Sequence, residues 1–517
     1  MLLAVKGETE MVCSEYSFSV TGIEAGVIKV EVDVGHGLPG FDLVGYLSAE
    51  AREARERVRV SLRNSQFALP ACHITVNLSP ADERKGGTAY DLAIAIGILC
   101  SLEVIPQELT RGYGFIGELG LDGSVRGVPG VLSCVYEAKQ AGFDAVMVPM
   151  ANLAEGGLVD GILVYGVETL TEAVRHFTGD GGQMAARTKW EPTEPVIGAD
   201  FSDIRMQFMA KRAAEIAAAG MHNLLLTGPP GAGKTMLASR IPGIMPKMTF
   251  AESLELTKIY SVAGMLAEGG EMIRVRPFRA PHHNSTIPAL AGGGRPPTPG
   301  EVTLATNGVL FLDELPEFRR GSIEVLRQPL EKKRIHISRL GGGVEYPAGF
   351  MLVAAMNPCP CGYYPDRNRC TCTPDMIRRY TSRISRPIMD RIDIHAWMPG
   401  IEVRSLTEGP DGESSAAIRA RVERATLVQR KRFEGTPYRF NADVPGELTE
   451  HFFSMKTETG KMLREYAERT GCSARVFHRL VKVARTIADL GESREIETVH
   501  MTEAIGFRNE EADNVGV

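Results

Sequence analysis

The 517-residue chain lacks any apolar run long enough to span a bilayer: the longest, Leu92 to Leu102, falls well short of the ~18 residues required. Its first residues, MLLAVKGETE, lack the basic-then-apolar order of a secretory leader, so a cytoplasmic protein with no membrane partner is expected. Positive charge is not in excess either. Lys and Arg number 58 against 64 Asp and Glu, a formal net charge of −6, so any nucleic-acid site has to be a local basic surface. The sequence has no internal repeat of solenoid length and no low-complexity tract. With 44% hydrophobic and 24% charged residues it is neither disordered nor fibrous. Its length predicts about three domains.

Residues 16 to 34 alternate apolar and polar around a glycine, which reads as two short strands. A helical stretch is expected from Ser48 to Asn64, a strand from His73 to Leu78, an apolar helix from Tyr90 to Leu102, and a helix between Gly130 and Ala141. Ala145 to Val148 and Leu163 to Val167 read as further strands, completing a mixed α/β domain over 1–178. Positions 179–200 have the Gly/Pro composition of a linker. Strand and helix patterns then alternate over 201–400, as in a mostly parallel sheet covered by helices. The region 401–510 is almost entirely helical, with Val476, Leu480, Val483, Ile487 and Leu490 forming one apolar stripe, and 511–517 is expected to fray.

Gly228, Pro229, Pro230, Gly231, Ala232, Gly233, Lys234 and Thr235 fit G-x-x-x-x-G-K-[ST], between the apolar strand NLLLT and the helix KTMLASRI. Glycines let successive N–H groups turn toward phosphates, Lys234 reaches the terminal phosphates of ATP, and Thr235 offers an oxygen to Mg²⁺. Downstream, Val309 to Leu312 reads as a buried strand that delivers Asp313 and Glu314 to its carboxyl end. Asp313 would hold Mg²⁺ through water and Glu314 would deprotonate the attacking water. A third strand, Phe350 to Met356, ends at Asn357, a polar residue suited to hold that water. Arg391 and Arg475 stand at element ends and look unpaired; either a phosphoryl-charge role or a surface salt bridge suits them.

The succession GPPGAGKT, RPFRAPHH (276 to 283), GEVTLATNGVLFLDELPEF (300 to 318), AAMNPCPCG (354 to 362) and SRPIMDRIDIH (385 to 395) resembles the magnesium-chelatase-like AAA+ ATPases, within them the YifB/ComM group. The resemblance covers nearly the whole chain and includes SARVFHRLVKVARTIADL near the end. It implies an AAA+ P-loop core over 201–400 and a helical lid over 401–510, with Asn357 as first sensor, Arg391 as an arginine finger acting in trans and Arg475 as second sensor. A homo-oligomeric ring, usually a hexamer, is implied. So is a DNA motor driving branch migration of recombination intermediates during uptake of foreign DNA. A chelatase-type remodeller of a protein partner and a nucleotide-dependent switch are the alternatives.

Two Gly-rich loops bear on the motor. Arg334 to Ala348 reads as a hairpin with a triple-Gly turn, and Ala291 to Gly300 as a Gly/Pro loop. Arg295, Arg339, Lys332, Lys333 and His336 would track the phosphates of single-stranded or branched DNA without reading sequence, unless the loops are simply solvated. KGGTAYDLAIAIGIL (85 to 99) and GELGLDGSVRGVPGVL (117 to 132) resemble a Lon-protease-like domain, but Ala89, beside Thr88, stands at the nucleophile's place and Leu132 at the lysine's. A domain without proteolysis follows. Finally, Cys359, Cys361, Cys370 and Cys372 could supply four thiolates to a structural Zn²⁺, or remain reduced thiols or form a disulfide.

Overall fold

The computed structural model describes residues 12–35, 38–82, 85–179, 183–184, 199–266, 270–294, 297–338, 343–400 and 412–508. The chain forms two compact units. The first holds mainly the N-terminal part of the chain, together with Ser253–Ile273. Most of the predicted linker, and the tail beyond Arg508, lie outside the described residues.

In the first unit the strands Cys13–Thr21, Glu24–Gly35, His73–Ser79 and Gly40–Val44 form one sheet in that order. The first two pair antiparallel from Cys13 opposite Val32 to Thr21 opposite Glu24, and together they reach beyond the alternating window in the sequence at both ends. A second sheet is ordered Gln183–Met184, Leu163–Val167, Ala145–Pro149, Tyr113–Phe115, with its last three strands parallel. The helix Asp91–Ser101 is apolar on every side and buried from Asp91 to Cys100, as a helix enclosed by a core must be. It approaches the first sheet at Gly97, where a Cβ would come within 2.7 Å of Val32 Cγ2. Buried Asp91 is satisfied by Arg57, at 2.6 and 3.0 Å.

Cys13 and Cys100, far apart in sequence, meet around Glu15. Burial pushes the Glu15 carboxyl up from 4.5 to about 7, against hydrogen bonds from Thr110, Cys13 and Cys100.

The second unit is built on a five-stranded, all-parallel sheet ordered Phe278–Arg279, Val309–Leu312, Met351–Met356, Leu224–Thr227, Ile394–Trp397. Its three middle strands are almost wholly buried, which explains their unbroken apolar sequences. The Ala-rich helix Phe208–Gly220 packs into the same core as the C-terminal helices Ser415–Arg432, Ala474–Leu490 and Thr498–Gly506. Ser473 caps the helix Ala474–Leu490, and the predicted stripe faces that core through Leu480, Val483 and Ile487. Polar contacts tie these helices to residues just ahead of two of the strands. Arg479 binds Asp393 at 2.5 Å and His222 meets Thr486 at 2.7 Å. Burial works to raise the Asp393 pKa, but Arg479 and His222 hold the carboxyl well below its usual range.

Candidate active site

The first strand of the parallel sheet, Leu224–Thr227, lies between two strands from later in the chain, Met351–Met356 and Ile394–Trp397. Connections therefore leave in opposite directions at its carboxyl end, where open α/β sheets form a ligand crevice. There the chain turns through Gly228 to Gly233 into the helix Lys234–Ile244. Gly231 and Gly233 have φ of 77° and 88°, a region that favours glycine, while a Cβ on Gly228 would collide with the Met398 carbonyl.

Three strand ends converge on this loop. Lys234 Nζ donates to the carbonyls of Gly228 (2.7 Å) and Pro229 (3.0 Å) and to Asn357 Oδ1 (3.0 Å). Burial lowers its pKa, with Asp313 and Glu314 opposing. Thr235 Oγ1 donates to Asp313 Oδ2 at 2.7 Å, which brings together the two oxygens that a Mg²⁺ ion on the phosphates requires. This contact and the N–H-lined turn fit Mg²⁺ and a nucleoside triphosphate. Glu314 follows with φ 51°, its N–H on Asp313 Oδ1 (2.9 Å) and its carboxylate 3.5 Å from His283 Nδ1. Half exposed, Glu314 is accessible to a water molecule.

Sequence reasoning misses His283, although RPFRAPHH carries it. Two further neighbours also come only from the fold. The main chain of Asn357 hydrogen-bonds the Tyr380 phenol, and Gly362 sits so close to the phosphate loop that a Cβ there would be 2.5 Å from Pro230 Cδ.

The two arginines lie elsewhere. Arg391 precedes by three residues the strand Ile394–Trp397, whose last residue pairs with Thr227. At ~3.3 Å per residue, it stands ~10 Å or more from the phosphate loop, at the amino end of the sheet. Asn223 marks that end, accepting from Leu352 N–H (2.9 Å) and donating to the Arg391 carbonyl (2.8 Å). Arg391 is not unpaired: its guanidinium bonds Glu331 and donates to the Pro387 carbonyl at 2.5 Å. With Arg475, Arg479, Lys482, Glu331 and Glu447 it lines a cavity of about 370 Å³.

Of the candidate DNA residues, Arg295 and Arg339 lie outside the described residues. The hairpin is present, Arg334–Ile337 pairing with Val344–Pro347, and places His336 opposite Glu345. Lys332 ends the helix Arg327–Lys332 and is exposed; Lys333 caps it and lies 3.5 Å from Asp443. Both stand before the hairpin, not at its tip. The four cysteines come together, every sulfur within 4.8 Å of the others.

Comparison with known proteins agrees with this architecture. Residues 200–406 match the model of magnesium chelatase subunit ChlI, 30–152 a second model of subunit ChlI of Mg-chelatase, and 412–508 the ChlI C-terminal region. The chain is 41% identical over 498 residues to the competence protein ComM of Haemophilus influenzae, covering 95% of this chain and 96% of that protein. It is 42% identical over 494 residues to YifB of Escherichia coli K12, covering 94% and 95%. A shorter likeness, 41% over 91 residues, reaches the DNA repair protein RadA of Bacillus subtilis, covering 18% of this chain and 19% of that one. The chain belongs to the ComM/YifB family of magnesium-chelatase-like AAA+ proteins, a membership that implies the use of ATP and Mg²⁺.

Proposed function

We propose that the protein is a cytoplasmic AAA+ ring motor, a hexamer, that couples ATP hydrolysis to movement on single-stranded or branched DNA and drives branch migration of recombination intermediates during natural transformation. The observation that carries the reading is the division of the phosphoryl-transfer groups between the two ends of one sheet. Lys234, Thr235, Asp313, Glu314 and Asn357 meet at the carboxyl end, and Arg391 and Arg475 share a cavity at the amino end.

At the carboxyl end the N–H groups of Gly231 and Gly233 and the Lys234 ammonium bind the ATP phosphates. Thr235 and Asp313 would hold Mg²⁺, which supplies charge neutralisation on those phosphates. Glu314 takes the proton of the attacking water, and Asn357 positions Lys234 through its Oδ1 while its NH₂ remains to hold the water. Arg391, too far from its own phosphate loop, completes the site of a neighbouring subunit, and Arg475 beside it acts in the same direction. Such a head-to-tail interface closes into a ring.

DNA as partner is supported by likeness to a protein named for competence and, over a short segment, to a DNA repair protein. The contacts are assigned to Arg295, Arg339, Lys332, Lys333 and His336, a local basic surface on an acidic chain. The N-terminal unit is read as a Lon-like scaffold without protease activity: the Thr88 hydroxyl donates to Glu118 (2.5 Å), a carboxylate and not a lysine base, and Leu132 is buried. The helices beyond position 412 act as the lid. The four cysteines are read as ligands of a structural Zn²⁺.

Likeness to magnesium chelatase favours, as a second reading, a remodeller or switch acting on a protein partner. The test is a labelled four-way DNA junction with ATP and the purified chain, with Glu314→Gln as control. Strand displacement and DNA-stimulated phosphate release by the wild type alone support the motor. Hydrolysis indifferent to DNA, with no displacement, supports the second reading and overturns the first.

A further inference from the structure

We propose that Cys359, Cys361, Cys370 and Cys372 form a Zn²⁺-held latch that sets the position of Asn357 and braces the phosphate loop, so that the ion governs the rate of ATP hydrolysis. The inference rests on the structural-zinc reading and adds to it a function at the nucleotide site.

A tetrahedron of ~2.3 Å Zn–S bonds has edges of ~3.8 Å. Cys359 Sγ lies 3.8 Å from Cys370 Sγ and 3.4 Å from Cys361 Sγ, and all four sulfurs fall within 4.8 Å of one another. These separations are far longer than a disulfide bond of ~2.05 Å. Main-chain N–H groups are aimed at the sulfurs: Tyr364 at Cys359 (3.4 Å), Tyr363 at Cys361, Cys372 at Cys370, and Cys361 at Cys372. Such donors stabilise coordinated thiolates. Zn²⁺ with four thiolates carries a net double negative charge, and two guanidinium groups stand by to offset it. Arg369 stacks over Tyr363 (3.9 Å) and Arg367 over Tyr364 (4.9 Å), with Arg367 also donating to the Cys372 carbonyl (3.2 Å).

The position of the cluster gives it a function. Cys359 follows Asn357 by two residues, straight off the strand Met351–Met356. Cys372 is followed by Thr373, whose hydroxyl caps the helix Pro374–Thr381, and that helix returns Tyr380 to the Asn357 main chain. Between the two cysteine pairs, Gly362, with φ 86°, lies directly against Pro230 of the phosphate loop. One ion thus closes a loop that runs on from Asn357, comes back to it through Tyr380, and touches the turn holding Lys234. Four sulfurs leave no open coordination position, so the ion positions other groups and does not react. Without it, the loop keeps four reduced thiols, buried or half-buried, and no covalent or coordinate cross-link to replace the metal. ATP would still meet Lys234 and Thr235, whereas the alignment of Asn357 would be lost.

The experiment compares full-length wild type, Cys370→Ser/Cys372→Ser, Cys361→Ser and Asn357→Ala for zinc content, ATP affinity, kcat and KM. In parallel, zinc is stripped from the wild type with a thiol-reactive mercurial and chelator, the thiols are regenerated, and Zn²⁺ is restored. Expected are one zinc per wild-type chain, a thiolate-to-cobalt charge-transfer band after Co²⁺ substitution, and a kcat lowered at least ~10-fold on stripping, with KM little changed and recovery on adding Zn²⁺. In Asn357→Ala, stripping should cause no further loss. No bound zinc and no charge-transfer band would overturn the metal site itself. Zinc present but removable with kcat unchanged, or an equal further loss in Asn357→Ala, would overturn the latch and leave a purely structural ion. Stripping and restoration use the wild-type sequence, so both outcomes can be read even where a serine variant fails to fold.

Discussion

The two ends of the parallel sheet in the second unit differ in what they lack. At the carboxyl end the key groups already meet in pairs: the Lys234 ammonium with the Asn357 amide, and the Thr235 hydroxyl with the Asp313 carboxylate. At the amino end, Arg391, Arg475, Arg479 and Lys482 face a cavity with only Glu331 and Glu447 as acidic neighbours in its lining. The first end suits a nucleotide; at the second, cationic groups outnumber acidic ones in the cavity lining even though Arg391 is held by Glu331 and Arg479 by Asp393. Under the proposed trans arrangement each chain supplies half of two sites, and assembly completes the chemistry.

The comparison can be broken most severely at the carboxyl end. Glu314→Gln should leave ATP bound and cut phosphate release by ~10³-fold, because a positioned general base is worth about 10²–10⁴. Lys234→Ala should instead abolish detectable nucleotide binding. At the amino end, Arg391→Ala should lower turnover by about 10³-fold while nucleotide affinity, measured by titration with a fluorescent ATP analogue, stays near wild type. A loss of affinity equal to that of Lys234→Ala would place Arg391 within its own chain's site.

A smaller effect sharpens the same contrast. Asp393→Ala removes the partner of Arg479 in a buried pair and should cost about 3–5 kcal/mol in denaturant unfolding of the second unit. Smaller still is a control in the first unit. Because the Glu15 carboxyl is raised from 4.5 to about 7, its neutral form favours the fold; the stabilisation is complete below pH 4.5 and is lost as pH rises toward 7. The loss should be on the order of 3 kcal/mol and absent in Glu15→Gln, as followed by hydrogen exchange of that unit across this pH range.

The carboxyl-end site is largely legible in the sequence because its parts are local signals: a Gly-rich turn before Lys234 and Thr235, an apolar strand before Asp313, another before Asn357. Each signal needs only its own strand and turn, and the parallel sheet then brings together residues 78 and 123 positions apart. What depends on approach between distant elements is not legible. The pairing of Arg391 with Glu331, the His283 contact with Glu314 and the seat of Gly362 on Pro230 arise from packing, which leaves no periodicity in the chain. In the first unit the strands Cys13–Thr21 and Glu24–Gly35 extend past the alternating pattern because their ends carry polar residues and glycine, and Gly40–Val44 is only five residues led by a glycine. The apolar helix Asp91–Ser101 is plain for the opposite reason, being hydrophobic all round.

Mixing two inactive chains tests the central claim most directly. Arg391→Ala keeps an intact carboxyl end and Glu314→Gln an intact amino end, so an interface between them rebuilds one complete site. If the ends work across subunits, an equal mixture should recover up to about a quarter of wild-type ATP turnover, the share of head-to-tail interfaces that pair correctly at random. Turnover no greater than the sum of the two separate variants would contradict it.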